Sequence, residues 1–141
     1  MIKMKKKILF ICTHNSARSQ MAEGLANSLF NDKLEAYSAG TEVAFVRPQA
    51  IEVMNEIGID ISNHRSKHIK EFYGTKFDLA ITVCDNAQKI CPVFPGAKQN
   101  IHKSFLDPST AIGTEEQKLH VFREVRDQIR RWLEEDLIKL I

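Results

Sequence analysis

The chain has 141 residues, 43% of them hydrophobic, enough for the core of one ordinary domain spanning 1–141 and too few for a second. Charged residues make up 27% and the formal net charge is +2, not the one-sided basic surface of a nucleic-acid binder; Lys3, Lys5, Lys6 and Lys7 read as a solvated lead-in to the first strand. No apolar run approaches the roughly 20 residues that cross a bilayer, and Ile8 to Cys12 is too short for a signal-peptide core, so a cytoplasmic protein with resting thiols and no membrane contact is expected.

Ile8-Leu9-Phe10-Ile11 has the continuous apolar pattern of a strand buried on both faces. Polar residues Thr13 to Ser19 follow, and then Met21, Ala22, Leu25, Ala26 and Leu29 recur at helical spacing. Leu34 to Ser38 reads as a second strand closed by Gly40. Arg47-Pro48 opens another helix with proline at its first position, an apolar stripe of Ala50, Ile51, Met54 and Ile57, and Gly58 at its end. A short helix is expected over Ser66 to Tyr73, a buried strand over Leu79 to Val83, a loop over Cys84 to Lys98, and a short fourth strand around Ile101. Thr114-Glu115-Glu116-Gln117 is a capping box for a last helix, which carries Leu119, Phe122, Val125, Ile129, Trp132, Leu133 and Leu137 toward the core. Alternating strands and helices predict an α/β fold with parallel pairing, and place Cys12 and Cys84, both at strand ends, on the same rim of the sheet.

The segment Cys12-Thr13-His14-Asn15-Ser16-Ala17-Arg18-Ser19 is a C-x5-R-S pattern between a buried strand and a helix. Five consecutive loop residues can turn their N–H groups inward as an anion nest, and the following helix aims its positive end at the same point. Arg18 offers a planar fork suited to phosphate-like oxygens. The same positive environment favours the thiolate of Cys12, and Ser19 can donate a hydrogen bond to it. The spacing alone is weak; the strand before and the helix after give it its weight.

Together with Gln20-Met21-Ala22-Glu23-Gly24, Tyr37-Ser38-Ala39-Gly40, Ile59-Asp60-Ile61-Ser62-Asn63-His64 and Asp107-Pro108, this loop resembles the low-molecular-weight tyrosine phosphatase superfamily over nearly the whole chain. The resemblance implies a four-stranded parallel sheet with helices on both faces, in a flavodoxin-like topology. It also implies Cys12 as nucleophile, Arg18 as anion binder, and Asn15 and Ser38 as supports of the loop. Asp107 on its own marks a common Asp-Pro turn; the resemblance makes it the general acid that protonates a leaving oxygen.

The superfamily divides into phosphatases and arsenate reductases, and arsenate and phosphate share shape and charge. Cys84 and Cys91 stand six residues apart, a poor zinc spacing with no histidine pair to complete it. A structural disulfide is disfavoured in the cytoplasm, which leaves inert thiols or a redox pair. The pair resembles that of the thioredoxin-coupled arsenate reductases. The implied chemistry is a relay from Cys12 to Cys84 to Cys91, reset by thioredoxin, with glutathione or glutaredoxin the less expected reductants. The residues after Asp107-Pro108 are Ser109, Thr110 and Ala111, where the phosphatases usually place tyrosines that wall an aromatic substrate; Phe45 could supply part of such a wall. The alternatives are a tyrosine phosphatase or small phosphomonoesterase, and a non-catalytic anion sensor, against which Cys12 and Asp107 argue.

Two positions depart from the pattern. Where the reductases commonly have glycine this chain has His14, and a positive φ there would cost a histidine something. Several relatives bind potassium near the loop; Asn15, Glu23 and Ser38 match three of those ligands, but Lys67 replaces the aspartate, so an ammonium paired with Glu23 and no bound metal or cofactor is expected. A monomer is expected.

Overall fold

The structure, a computed structural model, describes residues 4–83 and 93–141. Its elements are β1 (Lys6–Cys12), α1 (Arg18–Leu29), β2 (Leu34–Gly40), α2 (Pro48–Asn55), β3 (Phe77–Thr82), β4 (Ala97–His102) and α3 (Glu115–Glu135), with 3-10 turns at Ile69–Phe72, Pro108–Thr110 and Leu137–Lys139. All strand pairs are parallel, in the order β2-β1-β3-β4. The apolar run puts β1 in the interior: Ile8, Leu9, Phe10 and Ile11 are fully buried.

Strand alternation divides the core in two. Ile8, Phe10, Leu34, Ala36, Leu79 and Ile81 pack with the buried residues of α1, α2 and α3. Leu9, Ile11, Ala39 and Ala80 join Ile69, Phe77 and Phe94 on the opposite side. There the 3-10 turn at Ile69–Phe72 covers the sheet, and Tyr37, Phe72 and Phe77 meet edge to face with centroids 5.8 Å apart.

Helix α1 is buried from Arg18 through Ala26, so it lies inside the molecule. Gly24 is required there, because a Cβ would stand 2.8 Å from Cγ2 of Ile61. Helix α3 is amphipathic, with Leu119, Phe122, Val125, Ile129 and Leu133 buried, as the stripe predicts; Leu137 falls in the turn beyond the helix. Glu56, just past α2, ties α2 to α3. Arg123 grips its carboxylate through Nε at 3.0 Å and Nη2 at 2.8 Å, and Arg126 reaches it at 3.0 Å while donating to the Val53 carbonyl at 2.8 Å. The Arg123 hydrogen bonds hold the Glu56 carboxyl below the ordinary glutamate value.

Further boundaries differ from the sequence reading, among them that of β3, which runs over Phe77–Thr82. The helix expected over Ser66 to Tyr73 is only the turn Ile69–Phe72, started by the His68 side chain accepting from the Lys70 amide. The expected loop ends early, because Ala97 and Lys98 already belong to β4. That strand lies at the sheet edge with Lys98, Gln99 and Asn100 exposed, so no hydrophobic alternation marks it. No helix among the described residues is long and apolar enough to cross a membrane.

The capping box at Thr114 is formed on both sides: its hydroxyl accepts from the Gln117 amide at 3.1 Å, and its own N–H donates to Gln117 Oε1 at 2.8 Å. Thr114→Ala is expected to lower stability by about 1 kcal/mol in chemical denaturation, with an unchanged denaturant slope.

Candidate active site

Cys12 ends β1 and is 2% exposed; Arg18 begins α1. Between them the carbonyls of the loop are taken from outside. Thr13 O accepts from the Glu42 amide at 2.8 Å, His14 O from the Ser66 hydroxyl at 2.7 Å, and Ser16 O from the Arg47 amide at 2.9 Å. A trans peptide sets its N–H opposite its C=O, so the amides of His14, Asn15 and Ala17 turn to the inside of the loop.

The turn depends on Asn15, the only non-glycine with positive φ among the described residues, at 53°. The sequence reading raised that cost at His14; the structure moves it one residue on, to a side chain that tolerates the left-handed region well. His14 faces outward, half exposed, with Nε2 3.2 Å from Oε2 of Glu42.

The sulfur of Cys12 has two donors. The Asn15 amide reaches it at 3.1 Å, and the Ser19 hydroxyl lies 2.8 Å away. The direction of the second bond follows from its neighbours. The Lys67 amide can only donate, and it donates to Asn15 Oδ1 at 2.8 Å, so Asn15 Nδ2 is the group 2.8 Å from Ser19 Oγ. Ser19 therefore accepts from Asn15 and turns its own proton to the sulfur, so both groups donate to it.

Behind Asn15 lies a buried polar chain that the sequence did not reveal. Gln20 Nε2 donates among Asn15 Oδ1, Asn15 O and Arg65 O at 2.8–3.1 Å, leaving its Oε1 to accept from His64 Nδ1 at 3.0 Å. That imidazole nitrogen is also 3.1 Å from Glu23 Oε2, while Glu23 Oε1 accepts from Ser38 at 2.9 Å. Ser38 thus reaches the loop by way of Glu23, which leads to it through His64 and Gln20 and through Lys67. Lys67 Nζ stands 3.7 Å from Glu23, the pairing expected of it. Among the described residues no cluster of three histidines, cysteines or carboxylates could hold a metal ion.

Arg18 is 5% exposed and joins three segments. Its Nη1 lies 3.4 Å from Val83 O and 3.3 Å from Phe105 O, and its Nη2 lies 3.6 Å from Asp107 Oδ2. The other Asp107 oxygen accepts from the Ser109 amide at 3.0 Å and hydroxyl at 2.6 Å. The fold therefore brings Cys12, Arg18, Ser19 and Asp107 to one rim. Cys84 and Cys91 lie outside the described residues. Val83, which precedes Cys84, donates its amide to Ile11 O at 2.8 Å, beside the end of β1. Phe45 is exposed under the Arg47 guanidinium, 4.9 Å from its ring centroid.

A strand, an inward-turned loop closed by arginine and a buried helix are the frame of a low-molecular-weight phosphatase, and the model of the low molecular weight phosphotyrosine protein phosphatase family matches residues 7–140. The chain belongs to this family. It is similar to an arsenate reductase of Halalkalibacterium halodurans, 48% identical over 125 residues that cover 89% of this chain and 90% of that one. It is similar also to an arsenate reductase of Bacillus subtilis, 44% identical over 133 residues covering 94% and 96%. Among solved structures, an arsenate reductase in the phosphate-binding state superposes with a TM-score of 0.82 at 36% identity, covering 98% of this chain and all of that one.

Gly40 pairs with Cys12 in the sheet, and a Cβ there would stand 2.6 Å from Thr13 O and 2.9 Å from Asn15 N. Backbone cannot yield as a side-chain tip can, so Gly40→Ala is expected to weaken binding of inorganic phosphate at least about tenfold in calorimetry while circular dichroism stays unchanged. With an ammonium already beside Glu23, exchanging potassium for sodium at constant ionic strength is expected to leave phosphate affinity unaltered, and Lys67→Asp to make it depend on potassium.

Proposed function

We propose that this protein reduces arsenate to arsenite through a relay of Cys12, Cys84 and Cys91, reset by thioredoxin. The observation that carries the reading is the position of Arg18, whose guanidinium ties the Cys12 loop to Asp107 and to Val83, the residue before Cys84. The names of the relatives point to the same substrate.

In this reading arsenate enters the loop, its oxygens held by the inward amides from Thr13 to Ser19 and by the Arg18 fork. The Cys12 thiolate attacks arsenic, an As–O bond breaks, and the departing oxygen takes a proton from Asp107 and leaves as water. The Cys84 thiolate then attacks the Cys12 sulfur. A disulfide forms, the S–As bond breaks, and its electron pair reduces arsenic(V) to arsenite. The Cys91 thiolate attacks Cys84 and releases Cys12. The resulting Cys84–Cys91 disulfide is returned to thiols by a thioredoxin dithiol, which supplies the two electrons. Such a cycle needs resting thiols and so a reducing compartment, the cytoplasm. The loop, Arg18 and Asp107 also suffice for hydrolysis of a phosphate monoester, so residual phosphatase activity belongs to this reading.

Reduced protein mixed with arsenate, thioredoxin, thioredoxin reductase and NADPH is expected to consume NADPH in proportion to arsenate. Cys12→Ser, Cys84→Ser and Cys91→Ser are each expected to stop multiple turnover. Cys91→Ser alone should still release about one equivalent of arsenite per protein, because only the last exchange is lost. Absence of turnover in wild type, with aryl phosphate hydrolysis that survives the changes at 84 and 91, would instead make the protein a phosphatase.

A further inference from the structure

The two carboxyl oxygens of Asp107 stand in different surroundings. Oδ1 accepts from the Ser109 amide at 3.0 Å and from the Ser109 hydroxyl at 2.6 Å. Oδ2 lies 3.6 Å from Nη2 of Arg18, the residue that closes the Cys12 loop. A carboxylate oxygen offers two lone-pair sites, and on Oδ1 both are taken. A proton could sit on Oδ1 only if the Ser109 hydroxyl turned away, so the place for it is Oδ2.

The turn that carries these groups stands without the hydroxyl. Asp107 caps Pro108–Thr110 through the Ser109 amide, and Pro108 is buried. The Asp107 carbonyl accepts from the Thr110 hydroxyl at 2.9 Å, and the Ala111 amide closes on the Pro108 carbonyl at 3.1 Å. The segment is seated against the loop by Arg18, whose Nη1 lies 3.3 Å from Phe105 O. With the backbone so held, what the Ser109 hydroxyl adds is control of the carboxyl itself. The rotation of an aspartate about its Cβ–Cγ bond is broad, and two donors on one oxygen narrow it to one setting.

We propose that Ser109 is a positioning residue for the general acid: its hydroxyl occupies Oδ1 of Asp107 and so directs the acid's proton to Oδ2, the oxygen on the side of Arg18. This rests on the reading of Asp107 as proton donor to the departing oxygen of arsenate. In that step the As–O bond breaks with its electron pair going to oxygen, and the proton passes from Oδ2 to that oxygen. The charge left on the carboxyl lies between the Ser109 donors and the Arg18 guanidinium. Acting through Asp107, Ser109 alters the rate of this step rather than capture of the anion.

The test is the rate of arsenite release when reduced protein meets saturating arsenate without thioredoxin. It compares wild type, Ser109→Ala, Ser109→Thr, Asp107→Asn and the double variant of Asp107→Asn with Ser109→Ala, with phosphate calorimetry and thermal melts of each. Ser109→Ala is expected to slow release about tenfold, a part of the roughly 10²–10⁴-fold that a general acid supplies, with phosphate affinity unchanged. Ser109→Thr, which keeps the hydroxyl, should stay within about threefold of wild type. The amide oxygen of Asp107→Asn still accepts from Ser109 but has no acid proton to place, so removing the hydroxyl there should slow release no further. Wild-type rate in Ser109→Ala overturns the proposal. So does a loss that Ser109→Thr shares in full, that recurs undiminished in the Asp107→Asn background, or that a lowered melting temperature accompanies, each meaning that the hydroxyl holds the segment rather than the proton. If wild type releases no arsenite, or Asp107→Asn matches wild type, the reading of the reaction or of its acid fails instead.

Discussion

The side-chain amide of Asn15 is the interaction on which the rest of the site depends. One residue in the left-handed region turns the chain back on itself, aims its own amide at the Cys12 sulfur, and offers a carboxamide whose two ends cannot be exchanged. The Lys67 amide decides which end is oxygen; the other end then decides which way the Ser19 hydroxyl points, and the hydroxyl decides what the sulfur receives. A chain of this kind has no redundant member. Cys12, Asn15 and Ser19 are buried, and a buried polar group left without its partner costs about 1–3 kcal/mol, so the arrangement is either complete or replaced by another.

The part of this that the sequence makes legible is the part that is local. β1, α1 and the loop between them can be read from an apolar run, a C-x5-R-S segment and a 3.6-residue stripe, because the residues concerned are neighbours in the chain. The capping box at Thr114 is legible for the same reason. Gln20 and His64 are not: they stand forty-four positions apart, and neither has a pattern around it that announces the hydrogen bond between them. Their distance is closed by the crossover from β2 to β3. Gly40 could have been singled out only by knowing that β2 lies against β1 in the register Cys12 to Gly40. The polar edge strand β4 was legible only around Ile101, and its start was read as loop, because exposed lysine, glutamine and asparagine carry no alternation. The misplaced left-handed residue, His14 instead of Asn15, came from matching a glycine by position; asparagine's tolerance for that region was the better guide.

Charge around the loop is arranged in two tiers. On the inner tier the carboxylate of Glu23 is enclosed by a lysine, a histidine and a serine, and its influence on the loop passes through hydrogen bonds. On the outer tier Arg18 has Asp107 against it, and Glu42 pairs with the outward His14. Negative charge is thus held behind the loop or at its edge, and the interior of the loop is left to donors. This is the field a dianion requires, and it is set by the folded backbone before any ligand arrives.

The burial of α1 has a mechanical consequence. A helix enclosed from Arg18 to Ala26, joined to the central strand by a loop whose outward carbonyls are all engaged, cannot swing, unwind a turn or slide without opening the core. Cys12 is accordingly a fixed anvil. Whatever reacts with its sulfur must be delivered to it. The fold has in this way given that sulfur a stationary address, set before anything reaches it.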